Sequence, residues 1–396
     1  MNRRRLLFGG LMSGTSLDGV DAILLAIEGD DPTALRWEVV GYRSDPYGRE
    51  ERERILEVLS GGPLTELVRL DVALAERFHE TFSSLLAQAG VPAAEVTAIG
   101  SHGQTVWHQP PDGGERGRTL QIGDPATLAE ASGCAVVSDF RSRDMAAGGH
   151  GAPLVPWCDW VLLRRPGTGR ALQNLGGMGN VTYLPADGRV DGVRAFDTGP
   201  GVALLDGVAR LASGGAEFWD HDGERAARGR VLPELLEELL GDPFFHEPPP
   251  RSTGRERFGD ARLRELVRGV RPDSAADWDD LLATLTLLTA RSVARSYERF
   301  LPSGEVDEVV LTGGGARNPT LVRAIEEELA PIPVRTGPEA LGMDPDAREA
   351  AAFALFAWAH LRRIPGNLPS VTGAAGPRVL GSLTPGDGEG TEGGRR

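Results

Sequence analysis

Residues 6–27 read LLFGGLMSGTSLDGVDAILLAI: two apolar runs, Leu6–Met12 and Ala22–Ile27, joined by Gly14-Thr15-Ser16-Leu17-Asp18-Gly19-Val20-Asp21. Short apolar runs bounded by small turn residues predict the two strands of a hairpin. A tight turn between strands aims backbone N–H groups and the Thr15 and Ser16 hydroxyls at one spot. Convergent donors of that kind suit phosphate oxygens, and a turn supplies them without side-chain entropy. Asp18 or Asp21 then offers a carboxylate to a magnesium ion, Asp18 through a water. The octapeptide taken alone is also compatible with a purely structural turn.

All 42 basic residues are arginine; the chain contains no lysine. A lysine-bearing phosphate loop, a Schiff-base lysine and a kinase-type phosphate lysine are therefore excluded. Any phosphoryl chemistry must rest on backbone amides, arginines and a metal.

The 396 residues suffice for two domains with real cores, and 40% hydrophobic with 25% charged residues is an ordinary globular balance. A net charge of −15 argues against a nucleic-acid surface, which needs clustered positive charge. Apolar stretches end in glycine or charge before membrane-spanning length. Arg3–Arg5 ahead of Leu6–Met12 imitates a leader, but Ser13–Asp21 ends the apolar run without a cleavage site. Cys134 and Cys158 lack any paired spacing, so neither a disulfide framework nor a zinc site is indicated. These features predict a cytoplasmic protein with neither nucleic acid nor membrane as partner.

Strands and helices alternate, which predicts an α/β architecture. Trp37–Tyr42 adds a third antiparallel strand to the opening hairpin, and Leu64–Ala89 has helical spacing. Thr97–Gly100 is a short buried strand leading into a loop, Ser101–Pro111, with an exposed turn at 112–118. Ala135–Asp139 is a further strand. A second strand–turn–strand, Ala171–Leu175, Gly176–Asn180 and Val181–Leu184, repeats the first, as two halves built on one plan would. Helices are expected at Val202–Ala212, Leu232–Leu240, Ala275–Phe300, Pro319–Leu329 and Ala347–Arg363, and Val309–Thr312 is a strand ending at Gly313. The expected domains are 1–145 with 371–383, and 146–370, the Gly/Pro-rich Ala146–Pro156 making the first crossing. Residues 384–396 are expected to be a disordered tail.

Three glycine turns thus end strands: Ser13–Gly19, Gly176–Asn180 and Gly313–Asn318. They fit a nucleotide site in which Gly176, Gly177 and Asn180 join the first turn at the phosphates, while Gly313, Gly314 and Gly315 pack on adenine and ribose. Three unrelated structural turns are the alternative. Asp197, in Phe196-Asp197-Thr198-Gly199-Pro200-Gly201, lies at the end of an apolar run and before a helix. It is either a general base raised towards working pH by partial burial or a helix N-cap. Arg141, Arg143 and Asp144, beside Gly148 and Gly149, suit an acidic substrate or an ion-pair turn. His102, Gln104 and Thr105 follow a buried strand, where they suit sugar hydroxyls or a satisfied loop.

Taken in order, the segments 10–21, 99–108, 121–125, 139–156, 174–182, 196–206, 252–258, 313–318 and 365–381 closely resemble the anhydro-N-acetylmuramic acid kinases. That family belongs to the superfamily of sugar kinases, heat-shock ATPases and actin. The resemblance implies a two-domain actin-like ATPase (ribonuclease H-like) fold with ATP and sugar in the interdomain cleft. It implies hydrolytic opening of 1,6-anhydro-N-acetylmuramic acid with phosphorylation of O6, ATP and Mg2+ as cofactors, and a homodimer. Asp197 matches the family's general base and residues 14–21 its ATP-binding segment. Val202, His150, Arg251 and Gly179 stand where the family usually has Asn, Gln, Lys and Ala or Ser. An ordinary amino-sugar kinase and a nucleotide-driven assembly protein are the rival readings.

Overall fold

A computed structural model describes residues 5–387. Its strands, in chain order, are β1 (Arg5–Ser13), β2 (Gly19–Glu28), β3 (Arg36–Pro46), β4 (Val96–Gln109), β5 (Arg118–Ile122) and β6 (Val136–Ser138). There follow β7 (Arg170–Leu175), β8 (Met178–Leu184), β9 (Arg194–Pro200), β10 (Glu308–Thr312), β11 (Val334–Thr336) and β12 (Ser382–Thr384). Two compact units contain them, residues 1–163 with 347–396, and residues 164–346.

The first unit has strand order β12-β6-β4-β1-β2-β3, with β5 attached to β4. Strands β1, β2 and β3 form an antiparallel meander, whereas β4 and β6 run parallel to β1. Helices cover both faces. The helix Leu64–Ala89 buries Leu70, Leu74, Phe78, Phe82 and Leu85 along one stripe and stops at Gly90 in the left-handed region. The helix Arg348–Leu361 lies on the opposite face, where a Cβ on Gly10 would fall 2.0 Å from the Ala350 carbonyl oxygen. One on Gly100 would fall 1.9 Å from that of Phe353. Only glycine at these two strand positions lets the helix backbone sit so close to the sheet.

The second unit repeats the plan. Its order is β11-β10-β7-β8-β9, with β7–β8–β9 an antiparallel meander and β10 and β11 parallel to β7. The helix Ala275–Phe300 opens on a capping box between Ser274 and Asp277, and Asn318 caps Pro319–Leu329 through the amides of Thr320 and Leu321.

Several expectations need correction. Residues 101–109 are strand, because β4 continues beyond Gly103 (φ 75°) and pairs antiparallel with β5. The crossings lie at 163/164 and 346/347, not at 145/146 and 370/371. The reason is the helix Val155–Leu163, buried along nearly its whole length, which packs with the helix Arg348–Leu361. Trp157 stacks on Phe356 at 5.7 Å, and Arg348 Nε donates to Asp159 at 2.7 Å. Of the tail, Thr384 pairs with Val136 in the sheet, and residues 388–396 lie outside the described part. Cys134 and Cys158 are buried free thiols. Among the described residues no helix is long and apolar enough to cross a membrane.

Candidate active site

In the first unit the hairpin turn exposes a short stretch. Leu17 adopts φ 59° with its side chain in the core. The turn is pinned by Leu17 N–H donating to the Gly14 carbonyl (3.2 Å), Tyr47 N–H to that of Asp18 (3.0 Å) and Arg52 Nε to that of Leu17 (2.8 Å). Thr15, Ser16 and Asp18 are exposed on it, Asp18 with Arg52 at 3.7 Å. Gly19, Val20 and Asp21 belong to β2. Gly19 lies against the Asp45 carbonyl, Val20 is fully buried, and Asp21 accepts from the Tyr42 hydroxyl at 2.9 Å. The exposed side chains of 14–21 are therefore those of Thr15, Ser16 and Asp18.

The polar residues of β4 divide. Gln104 is fully buried, and its Oε1 accepts from the Ser13 hydroxyl at 2.5 Å, tying β4 to the hairpin. Thr105 Oγ1 accepts from Gln121 on β5 at 3.2 Å. His102 pairs Nδ1 with the Gly103 carbonyl (2.8 Å), and its Nε2 accepts from Arg141 Nη2 (2.8 Å) and Nε (3.1 Å). Burial, reinforced by Arg141, pushes its pKa down to about 3, so the ring is neutral at any working pH. Arg141 Nη1 also holds the Gly151 carbonyl at 2.8 Å. Arg143, by contrast, is exposed beside His360, Arg363 and Leu383, away from this pair.

Asp144 presents no free face. Its carboxylate accepts from Gly151 N–H (2.9 Å), Asn367 Nδ2 (2.7 Å) and Thr372 Oγ1 (2.7 Å), and it is wholly buried. Gly148 and Gly149 are thereby clamped in place, with His150 N–H bonded to the Thr372 carbonyl at 2.8 Å. Glu349, which sequence reasoning missed, stands exposed in the first turn of its helix and interacts electrostatically with Arg141 and Asp21. Nothing local in Arg-Glu-Ala-Ala marks it; the glycine-permitted approach of that helix to β1 and β4 does.

In the second unit the glycine turns come together. Gly201 and Ala203 donate to the Gly177 carbonyl, and Val202 to that of Gly176, at 3.0, 3.2 and 2.9 Å. Gly313 (φ 79°) and Gly315 pack on Leu175, and Gly315 also on Val202. Val202 thus supports the third glycine turn. Gly314 lies between those two, with open space where a Cβ would point. Asn180 is the ladder partner of Asp197.

Asp197 sits inside β9, not at a helix start; the following helix, Ala203–Ala212, has no side-chain cap. The capping alternative is thereby removed. Its Oδ2 accepts from Thr253 N–H at 2.8 Å. Its main chain exchanges bonds with Arg251, Asp197 N–H to the Arg251 carbonyl (3.3 Å) and Arg251 Nε to the Asp197 carbonyl (2.8 Å). Burial pushes the half-buried carboxyl up to about 6, against the opposing pull of Thr253 N–H and Arg251. A carboxyl so poised is ionised at neutral pH and can still take a proton.

A meander of three antiparallel strands extended by two parallel ones, occurring twice, is the ribonuclease H-like sheet in duplicate. With a glycine-rich hairpin at the head of each copy, it defines a protein of the actin-like ATPase class. The family model described as anhydro-N-acetylmuramic acid kinase matches residues 6–386. A protein of that name from Caldanaerobacter subterraneus subsp. tengcongensis is 43% identical over 390 residues, covering 97% of this chain and 98% of the relative. Another from Gloeobacter violaceus is 46% identical over 382 residues, covering 95% and 98%. This chain belongs to the anhydro-N-acetylmuramic acid kinase family.

Proposed function

We propose that this protein hydrolyses the 1,6-anhydro bridge of 1,6-anhydro-N-acetylmuramic acid while transferring the ATP γ-phosphoryl group to O6. The products are N-acetylmuramic acid 6-phosphate and ADP, and the reaction serves cell-wall recycling. The observation that carries this reading is the Asp197 carboxyl, raised to about 6 and oriented by Thr253 N–H beside the second glycine hairpin.

In the reaction, Asp197 accepts a proton from water as the water oxygen bonds to C1. The C1–O6 bond breaks, and O6 keeps the electron pair. O6 then bonds to the γ-phosphorus as the bond from phosphorus to the ADP oxygen breaks. Water supplies the anomeric hydroxyl; the bridge oxygen becomes the phosphate ester. Phosphoryl transfer of this kind is promoted chiefly by positioning and charge neutralisation.

The turn at 14–18 is suited to phosphate oxygens, since it exposes the adjacent Thr15 and Ser16 hydroxyls on a small-residue turn. Asp18 is the exposed carboxylate on the same turn. A lone carboxylate suits Mg2+, which keeps most of its water and takes phosphate oxygens as partners. When bound, the metal neutralises phosphate charge. Gly176, Gly177 and Asn180 are assigned to the phosphates and Gly313–Gly315 to adenosine. On the sugar side, Arg141 presents the polar group, backed by His102, with Thr105, Gly148 and Gly149 beside it. Gln104 and Asp144 hold that surface in shape. The protein acts in the cytoplasm as a homodimer.

The deciding experiment is mass spectrometry of the product formed from the anhydro-sugar, ATP and magnesium in heavy-oxygen water. One heavy oxygen at C1 is expected. A phosphorylated product without solvent oxygen would mean a kinase that phosphorylates a free hydroxyl and would overturn the reading.

A further inference from the structure

Arg251 is 7% exposed and is held more completely than a surface-loop arginine requires. Its guanidinium carbon lies 4.6 Å from the ring centroids of Phe244 and Phe300 and 5.4 Å from that of Phe196. Nε donates to the Asp197 carbonyl (2.8 Å), Nη1 to those of Phe244 and Glu247 (both 3.1 Å), and Nη2 to the Ser296 hydroxyl (2.7 Å). All three guanidinium nitrogens are thus engaged. An ammonium is a compact charge and cannot span acceptors so disposed.

What the cage fixes is the run 251–253, which lies along β9, the edge strand of its sheet. One main-chain bond and one from the Arg251 side chain join Arg251 to the Asp197 backbone, and two residues later Thr253 N–H reaches Asp197 Oδ2. The direction of the carboxylate is therefore set by a backbone donor whose own place depends on Arg251.

We propose that Arg251 is a positioning residue for the Asp197 carboxylate, holding Thr253 N–H on Oδ2 and supplying the nearest positive charge. The proposal rests on the reading of Asp197 as the base. The charged groups around the pair are few. Glu256, from the helix Arg255–Phe258, pushes the Asp197 carboxyl up, whereas Arg251 and Thr253 N–H pull it down. Arg251 itself is influenced by Glu247 on its own loop and by Arg299 on the helix Ala275–Phe300. Removing the guanidinium takes away a charge that lowers the carboxyl pKa and frees the donor that does the same, so both effects shift the carboxyl upward.

The test compares R251M, R251K and D197N in the full-length protein, with kcat, KM for ATP and the pH profile of kcat/KM. In R251M we expect kcat to fall about tenfold or more and the acid limb to move up by about half a pH unit, with KM for ATP within about twofold. In R251K we expect the acid limb to return only part of the way to its wild-type place, because the charge is kept while the fork that holds the donor is lost. Its kcat should stay about threefold or more below wild type, because the fork is lost. An unmoved acid limb in R251M overturns the proposal. So does wild-type kcat in R251K, a result that decides the matter even if R251M fails to fold. D197N separates the two readings: a fully active D197N removes Asp197 as base. A dead D197N beside an unmoved R251M profile removes only the role of Arg251.

Discussion

Asn180 on β8 and Asp197 on β9 are paired residues of one antiparallel ladder, so their side chains project from the same face of the sheet. In sequence Asn180 belongs to the second glycine turn; in space it is a direct neighbour of the candidate base. One hairpin therefore carries both the amide proposed for the phosphate side and the proposed proton acceptor, and on that reading coupling of the two events needs no moving part within this sheet.

N180A should accordingly reduce kcat by about tenfold or more while KM for the sugar changes little, as for an interaction realised in the transition state. Asn180 is half-buried, so the melting temperature should change little. Steady-state kinetics with both substrates would check this; wild-type kcat would assign Asn180 to the turn alone.

D197N should lose at least about 10²–10⁴ of turnover while retaining ATP binding by calorimetry. Its stability should change in a predictable direction. The folded carboxyl titrates near 6 against an ordinary 3.8, so between those values the folded state binds the extra proton. Wild-type stability attributable to Asp197 is present at low pH and is lost as pH rises through about 6. At pH 7.5 the variant should be more stable by about 1–3 kcal/mol, the gap closing near pH 4. Equal melting curves at both pH values would show that the carboxyl is not raised. In the wild type, kcat/KM should fall as pH drops through about 6.

The residues that the sequence revealed were those whose type is dictated locally. Gly14–Ser16, Gly176–Gly177 and Gly313–Gly315 are runs of small residues at strand ends, so the three turns were legible. The duplicated sheets were legible as repeated strand–turn–strand units. Long-range partners were not. The strand beyond Gly103 exists because β5 returns to pair with it, and Arg118–Ile122 carries no mark of that. Gln104 read as a sugar contact or a satisfied loop residue and Asp144 as part of a substrate site or an ion-pair turn, but their partners Ser13, Asn367 and Thr372 lie 91, 223 and 228 positions away. The domain crossing was misplaced for the same reason: Arg348 and Asp159 are 189 residues apart.

Arg141 and Arg143, two residues apart, should behave differently. Arg141 is anchored to His102 and the Gly151 carbonyl, whereas Arg143 is exposed elsewhere. If Arg141 meets the lactyl carboxylate, R141Q should weaken sugar binding by about 1.5–3 kcal/mol, the range for a charge-assisted hydrogen bond. R143Q should bind as wild type. Calorimetry of the two variants with the anhydro-sugar would distinguish them; normal binding by R141Q would place the carboxylate elsewhere.

Asp144 should matter through structure. Its two oxygens take three donors from segments more than two hundred residues apart and from Gly151, all buried. In D144N one oxygen becomes an amide nitrogen and must face a donor, leaving a buried N–H unsatisfied. The expected cost is about 2–4 kcal/mol, seen as a melting-temperature drop of roughly 2–5 °C for a chain of this length. The freed stretch is Gly148–Gly151, whose carbonyl end holds Arg141. KM for the sugar should therefore rise, whereas KM for ATP, served by other turns, should stay within about twofold. T372V removes one donor without burying a new one and should show the same effects at a smaller size. A D144N protein that melts within about a degree of wild type would mean the three bonds contribute no net stability.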